Sequence, residues 1–244
     1  MALLCVDDNM KLTPARFQIV FTYKCNLACK WCDRFLDVIP WNDTDMFLDD
    51  LVKGSKRVKQ SGVRVSMSRI GGGEPTMHPK FKVMASLVRE CWSNRGKVKT
   101  TVATNGVAKR PKGIGVHYRI SPPDTKDHFP VMISPADLGF ESIGGYVTPC
   151  RVSKVCGRLF DCHGFAPCPY AGTIGRLLQI DPYHSHPVLL GTPEICRHCI
   201  HSLGKGLREK LWEDAKKDRI EYPTKTFAEA LLRRPMDFKR FQER

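Results

Sequence analysis

Apolar positions along the chain fall into short runs separated by polar, turn-forming segments. Phe17 to Phe21 reads as a first strand. A helix is then expected up to about Gln60, with Asn42, Asp43 or Thr44 as its cap. Asp45, Asp49 and Asp50 lie near its start and Lys56, Arg57 and Lys59 near its end, as a helix dipole prefers. Gly62 can terminate it. Val63 to Ile70 is the second predicted strand. Pro79 opens a helix to about Trp92, with Phe81, Met84, Leu87, Val88 and Cys91 on one stripe. Val98 to Ala103 and Val116 to Ile120 are further strands. Alternation of this kind predicts a parallel α/β sheet, in which ligands sit at the carboxyl ends of the strands.

Composition narrows the class. The 244 residues suffice for one substantial domain or a domain with an appendage. No stretch approaches the ~20 apolar residues of a membrane helix, so no membrane partner is expected. The N-terminus turns acidic at Asp7 and Asp8, too early for a signal peptide. Eleven cysteines in clustered spacings point to metal ligation in a reducing compartment, and the expected location is cytoplasmic. The net charge of +14 is lopsided: Leu51 to Lys126 holds 17 Lys and Arg against Glu74, Glu90 and Asp124. A stretch so basic favours a polyanionic partner, although a solvated basic face would look the same.

Three features fall at strand ends. Cys25, Cys29 and Cys32 follow the first strand as Cys-x-x-x-Cys-x-x-Cys. Soft thiolates at this spacing can grip one iron–sulfur cluster, and three ligands where four are usual leave one iron open. A zinc site is the alternative, although structural zinc usually takes four protein ligands. Gly71-Gly72-Gly73-Glu74-Pro75-Thr76 follows the second strand, and Thr104-Asn105-Gly106 ends the third. The glycines could form only a tight turn, or could let backbone N–H groups approach a carboxylate closely.

In this order the motifs resemble the radical S-adenosylmethionine (SAM) family. The resemblance implies a [4Fe–4S] cluster on Cys25, Cys29 and Cys32, with SAM on its open iron. It implies contact of Gly72, Gly73 and Glu74 with the methionine part of SAM, Trp31 near the adenine, and a place for Asn105 on the same rim. Ser121 is a candidate ribose contact. The implied fold is a partial TIM-like barrel. Only four or five βα units fit before Tyr146, and Pro122, Pro123 and Pro130 suggest irregular connections, so the barrel is expected to be abbreviated.

A second group comprises Cys150, Cys156, Cys162, Cys168, Cys196 and Cys199. It resembles the shortened auxiliary-cluster (twitch, or SPASM-like) domain that follows the barrel in some radical SAM enzymes. By that pattern Cys156, Cys168, Cys196 and Cys199 would hold a second [4Fe–4S] cluster, with Cys150 as the alternative to Cys156. A zinc knot has the same spacing. The expected organisation is therefore a barrel over 12–145, an auxiliary domain over 146–201 and a basic helical tail over 202–244. Helical character runs from Leu207 to Arg219 and from Thr226 to Leu232, broken at Pro223 and Pro235.

The resemblance implies an enzyme that takes an electron from a flavodoxin- or ferredoxin-type donor, cleaves SAM reductively and abstracts hydrogen from a substrate. The basic half-barrel favours a nucleobase, free or in a polynucleotide. Isomerases of hypermodified thymine in viral DNA are one such class, and would act in the host cytoplasm. Maturation of a ribosomally made peptide is a second possibility, though only about 15 residues precede the first strand. Activation of a glycyl-radical partner is a third. A non-enzymatic iron–sulfur or zinc module for nucleic acid is a fourth, and leaves Gly72 to Pro75 without a use.

Overall fold

The computed structural model describes residues 14–36, 45–94, 96–121, 129–140, 150, 152, 155–187, 192–233 and 235–244. The proposed caps Asn42, Asp43 and Thr44, together with Pro122, Pro123 and Tyr146, lie outside them.

The first strand, β1 (Ala15–Thr22), is followed by α1 (Leu48–Gln60), β2 (Val65–Gly72), α2 (Phe81–Leu87), β3 (Thr100–Thr104) and β4 (His117–Ile120). Helix α2 runs directly into a π turn, Val88–Trp92. Next come the hairpin strands β5 (Arg158–Asp161) and β6 (Gly164–Ala166). The helices α3 (Pro169–Leu178), α4 (Pro193–Cys196), α5 (Lys205–Lys216) and α6 (Lys225–Leu231) complete the order. The strands form one sheet in the order β4-β3-β2-β1-β5-β6. All pairings are parallel except β5–β6. This parallel-dominated α/β sheet fits a partial TIM-like fold.

Elements fall within a few residues of their predicted bounds. Helix α1 starts later than its proposed cap because Asp50 caps it from within, its carboxylate accepting from the Phe47 N–H at 3.0 Å. Asp45 turns instead toward β1, accepting from Thr22 Oγ1 at 2.6 Å and Lys24 Nζ at 2.8 Å.

Strand β1 is buried on both faces, which accounts for its nearly continuous apolar sequence. Phe17, Ile19 and Phe21 pack beneath α1 and α2, and Val20 faces a second cluster that includes Leu159 and Ile174. Residues 158–166, within the segment read as auxiliary, lie against this strand: β5 pairs with Phe17 to Ile19. Phe160 closes an aromatic group with Trp92, Phe165 and Phe241, at centroid separations of 5.1, 4.6 and 5.2 Å. Edge and tilted contacts of this kind contribute about 1 kcal/mol each beyond burial. Gly54 is needed in the middle of α1 because a Cβ there would stand 2.3 Å from the Phe160 ring. Phe227, Phe238 and Phe241 of the 202–244 segment are likewise buried in the two clusters.

A buried polar knot joins the end of β1 to the hairpin. Asp161 Oδ2 accepts from the hydroxyls of Tyr23 and Tyr183, both at 2.7 Å, and Oδ1 accepts from the His163 N–H at 2.8 Å. No helix among the described residues is long and apolar enough to cross a membrane.

Candidate functional site

The carboxyl ends of β1, β2 and β3 meet at one cavity of about 330 Å³. Cys25, Cys29 and Cys32 line it, as do Gly72, Gly73, Asn105 and Ser121. Seven of the residues singled out in the N-terminal half therefore converge on one space. Gln18, Arg69 and Ala103 on the strands, and Asp33, Arg34, Cys156 and Tyr170 around the rim, complete much of the wall.

The cysteine loop is clamped at both ends. At its start the Gly73 N–H donates to the Thr22 carbonyl at 3.0 Å, and the Glu74 N–H to the Lys24 carbonyl at 2.8 Å. The two chains cross so closely that a Cβ on Gly73 would lie 2.2 Å from the Lys24 oxygen. Gly72, at φ +123°, would place one 2.5 Å from the Thr22 oxygen. These glycines are thus required by the crossing of the two loops, and the N–H groups of Gly73 and Glu74 serve that crossing, not a bound carboxylate. At the loop's far end Phe35 is buried, and its N–H donates to the Cys32 carbonyl at 2.9 Å. The Arg34 guanidinium reaches the Pro169 carbonyl at the start of α3.

Glu74 lies beneath the cavity wall, fully buried. Oε1 accepts from the Thr76 N–H (3.1 Å), the Thr76 hydroxyl (2.5 Å) and the Thr104 hydroxyl (2.9 Å), and Oε2 from the Asn105 N–H (2.8 Å). It therefore fastens the ends of β2 and β3 together. Asn105 carries this order to the cysteine loop, its Nδ2 donating to Asn26 Oδ1 at 2.7 Å and standing 4.0 Å from Cys25 Sγ. Trp31 is outside the cavity lining. Its ring meets Tyr222 edge-on at 6.4 Å and carries the Lys30 ammonium 4.4 Å from its centroid.

The remaining cysteines separate. Cys156 lines the first cavity, whereas Cys150, Cys168, Cys196 and Cys199 form a different neighbourhood. Burial pushes the Cys168 thiol up to about 12, with Cys150 and Cys196 adding to the rise. Burial likewise raises Cys199 and Cys196; Cys168, Cys150 and Cys196 add to the first, and Cys150 to the second. Thiols so placed ionise readily only when a cation joins them. The described cysteines are all free of disulfides. Among the described residues no three His, Cys, Asp or Glu side chains stand close enough to form a ready-made site for one metal ion. Cys162 is buried among the aromatic rings of the core, with its thiol raised by burial, and Cys91 packs at that core's edge.

Residues 19–116, less than half of the chain, match the family described as the radical SAM superfamily. Among curated proteins the chain is similar to the S-adenosylmethionine-dependent nucleotide dehydratase RSAD2 of Siniperca chuatsi. The two are 29% identical over 112 residues, covering 41% of this chain and 29% of that protein; the chain thus spans less than a third of that relative's length. Among solved structures it is similar to Streptococcus suis SuiB bound to S-adenosylmethionine, at 24% identity over 40% of this chain and 19% of that one, with a TM-score of 0.29. It is also similar to BtrN in complex with AdoMet and 2-DOIA, at 12% identity over 86% and 91% of the two chains, with a TM-score of 0.45.

Sequence reasoning passed over Gln18, Arg69, Asp33, Arg34 and Tyr170. A signal existed for the first two: each is a long polar side chain inside a strand, which asks what it faces. The others depend on α3 folding back across the cysteine loop, a long-range contact with no local trace.

Proposed function

We propose that this chain is a radical SAM enzyme. Cys25, Cys29 and Cys32 would hold a [4Fe–4S] cluster, and SAM would occupy the cavity beside Gly72, Gly73, Asn105 and Ser121. The observation that carries this reading is the convergence of the three loop thiols and two further strand-end motifs on one cavity. When bound, the cluster supplies the electron that splits SAM into methionine and a 5′-deoxyadenosyl radical, which takes hydrogen from the substrate. The chain's own residues position. Glu74 and Asn105 fix the loop that carries the thiols, and the buried surroundings limit water. An external donor of flavodoxin or ferredoxin type would provide the electron.

Cys150, Cys168, Cys196 and Cys199 are the proposed ligands of a second cluster. The place of Cys156 on the lining of the first cavity favours Cys150 in the place first considered for it. For the substrate, a nucleobase or nucleotide is the favoured class. Support comes from the basic run between Leu51 and Lys126, and from the likeness over 41% of the chain to a protein named as a nucleotide dehydratase. Isomerisation of a modified base in DNA is a narrower form of the same proposal.

The test is anaerobic reconstitution with iron and sulfide, followed by reduction with SAM and detection of 5′-deoxyadenosine. Cys25→Ala is expected to abolish the product while leaving the far-ultraviolet circular dichroism unchanged. Product from that variant at the wild-type rate would overturn the assignment.

A further inference from the structure

Below the cysteine loop, one face of the sheet carries a charge that no described residue neutralises. The ladder places Gln18 opposite Arg69, Arg69 opposite Thr101, and Thr101 opposite His117. One residue row nearer the rim lie Val20, Gly71, Ala103 and Arg119. Alternation along each strand puts both rows on the same face, away from the core beneath α1 and α2.

Arg69 lines the cavity. Its Nε is fully buried and has no hydrogen-bond partner, and no ion pair joins its guanidinium to any described residue. Gln18, also buried, curls toward Gly71, where a Cβ would come within 3.0 Å of its amide nitrogen. Among the described residues, the one carboxylate lining the cavity is Asp33, beside Arg34 and Tyr170. Its carboxylate accepts from the Tyr170 hydroxyl at 3.5 Å. Asp33 thus faces Tyr170, and the Arg34 guanidinium faces the Pro169 carbonyl.

A guanidinium with an orphaned, buried N–H is costly unless something completes it. Its planar fork matches an oxyanion with two parallel acceptors. Gln18 can add a neutral donor beside it. We infer that Arg69, assisted by Gln18, binds an oxyanion carried by the substrate, a phosphate or a carboxylate, and so fixes which end of the substrate enters the cavity. The exposed Arg119, opposite Ala103 and two residues past His117, extends the same positive face toward the rim. The inference rests on the proposed function only for the identity of the cavity as the reaction site.

The experiment is isothermal titration of the reconstituted protein, with and without SAM, at about 0.15 M ionic strength to suppress loose binding to surface lysines. The probes are inorganic phosphate, acetate, thymidine and thymidine 5′-monophosphate. At least one oxyanion probe is expected to bind the wild type. Arg69→Gln should weaken that probe by ten-fold or more, Arg69→Lys by a smaller factor, and neither should change SAM affinity beyond two-fold. Phosphate against acetate identifies the oxyanion, and the monophosphate against its nucleoside asks whether a nucleotide carries it. Circular dichroism and iron content establish that the variants are folded and loaded. Three outcomes overturn the inference: no oxyanion probe binds the wild type; Arg69→Gln binds it unchanged; or Arg69→Gln loses SAM affinity instead, which would assign the guanidinium to SAM's own carboxylate. Absence of SAM binding to the wild type would refute the proposed function and leave the oxyanion result to stand by itself.

Discussion

Replacing Glu74 with glutamine isolates the role of the buried carboxylate, because shape is kept while one acceptor becomes a donor. Four donors reach this group: two from Thr76, one from Thr104 and one from the Asn105 backbone. The best orientation for the new amide keeps its oxygen where three donors converge. The NH₂ group then faces the Asn105 N–H, donor against donor. One charge-assisted bond is lost, about 1.5–3 kcal/mol, and a buried N–H is left unsatisfied, about 1–3 kcal/mol. The expected loss of stability is about 3–5 kcal/mol, read by urea denaturation of the iron-free protein under circular dichroism. The m-value should not change, since the surface exposed on unfolding is the same. Because Asn105 contacts Asn26 and approaches Cys25, the reconstituted variant should also hold less iron. If Glu74 served mainly as a ligand contact, Glu74→Gln would cost under about 1 kcal/mol of stability while SAM affinity fell ten-fold or more. That result would refute the positioning role.

Gly73→Ala should destabilise by about 2 kcal/mol or more and lower iron retention. Its Cβ would meet the Lys24 carbonyl at 2.2 Å and force apart the two backbone hydrogen bonds of the loop crossing; denaturation and iron assay test this. Cys150→Ser is expected to reduce reconstituted iron from about eight to about four per chain, whereas Cys156→Ser should keep about eight; the opposite pattern would restore Cys156 to the second cluster. His163 is held below the ordinary histidine range because burial opposes its charge, an effect that Asp161 only partly offsets. The unfolded chain therefore binds a proton near pH 6.5 that the folded chain does not, so this group's contribution is fully present above that pH. It is lost as pH falls toward the folded value. His163→Gln should accordingly lose less stability than the wild type between about pH 7.5 and 5.5, by urea titration.

How far the molecule could be read from its sequence follows the range of the interactions involved. Strands β1 to β4 and the helices between them were legible because each carries its own period and its own breakers. The three motifs were legible because parallel topology sends every strand's carboxyl end to the same rim. Strand β5 was not readable as part of that sheet: Arg158 to Asp161 is four residues long, and its partner, Phe17 to Ile19, lies some 140 positions earlier. The same contact determines the fate of the cysteines. Once β5 lies beside β1, Cys156, two residues before it, is held at the mouth of the first cavity. That leaves Cys150 as the proposed partner of Cys168, Cys196 and Cys199. Spacing alone could not have ranked the two. Glu74 shows a different limit. A carboxylate in a glycine-rich turn announces that it accepts hydrogen bonds, but not from whom; here Thr76, Thr104 and Asn105 supply the donors, so the motif's acid organises the floor on which the chemistry would rest.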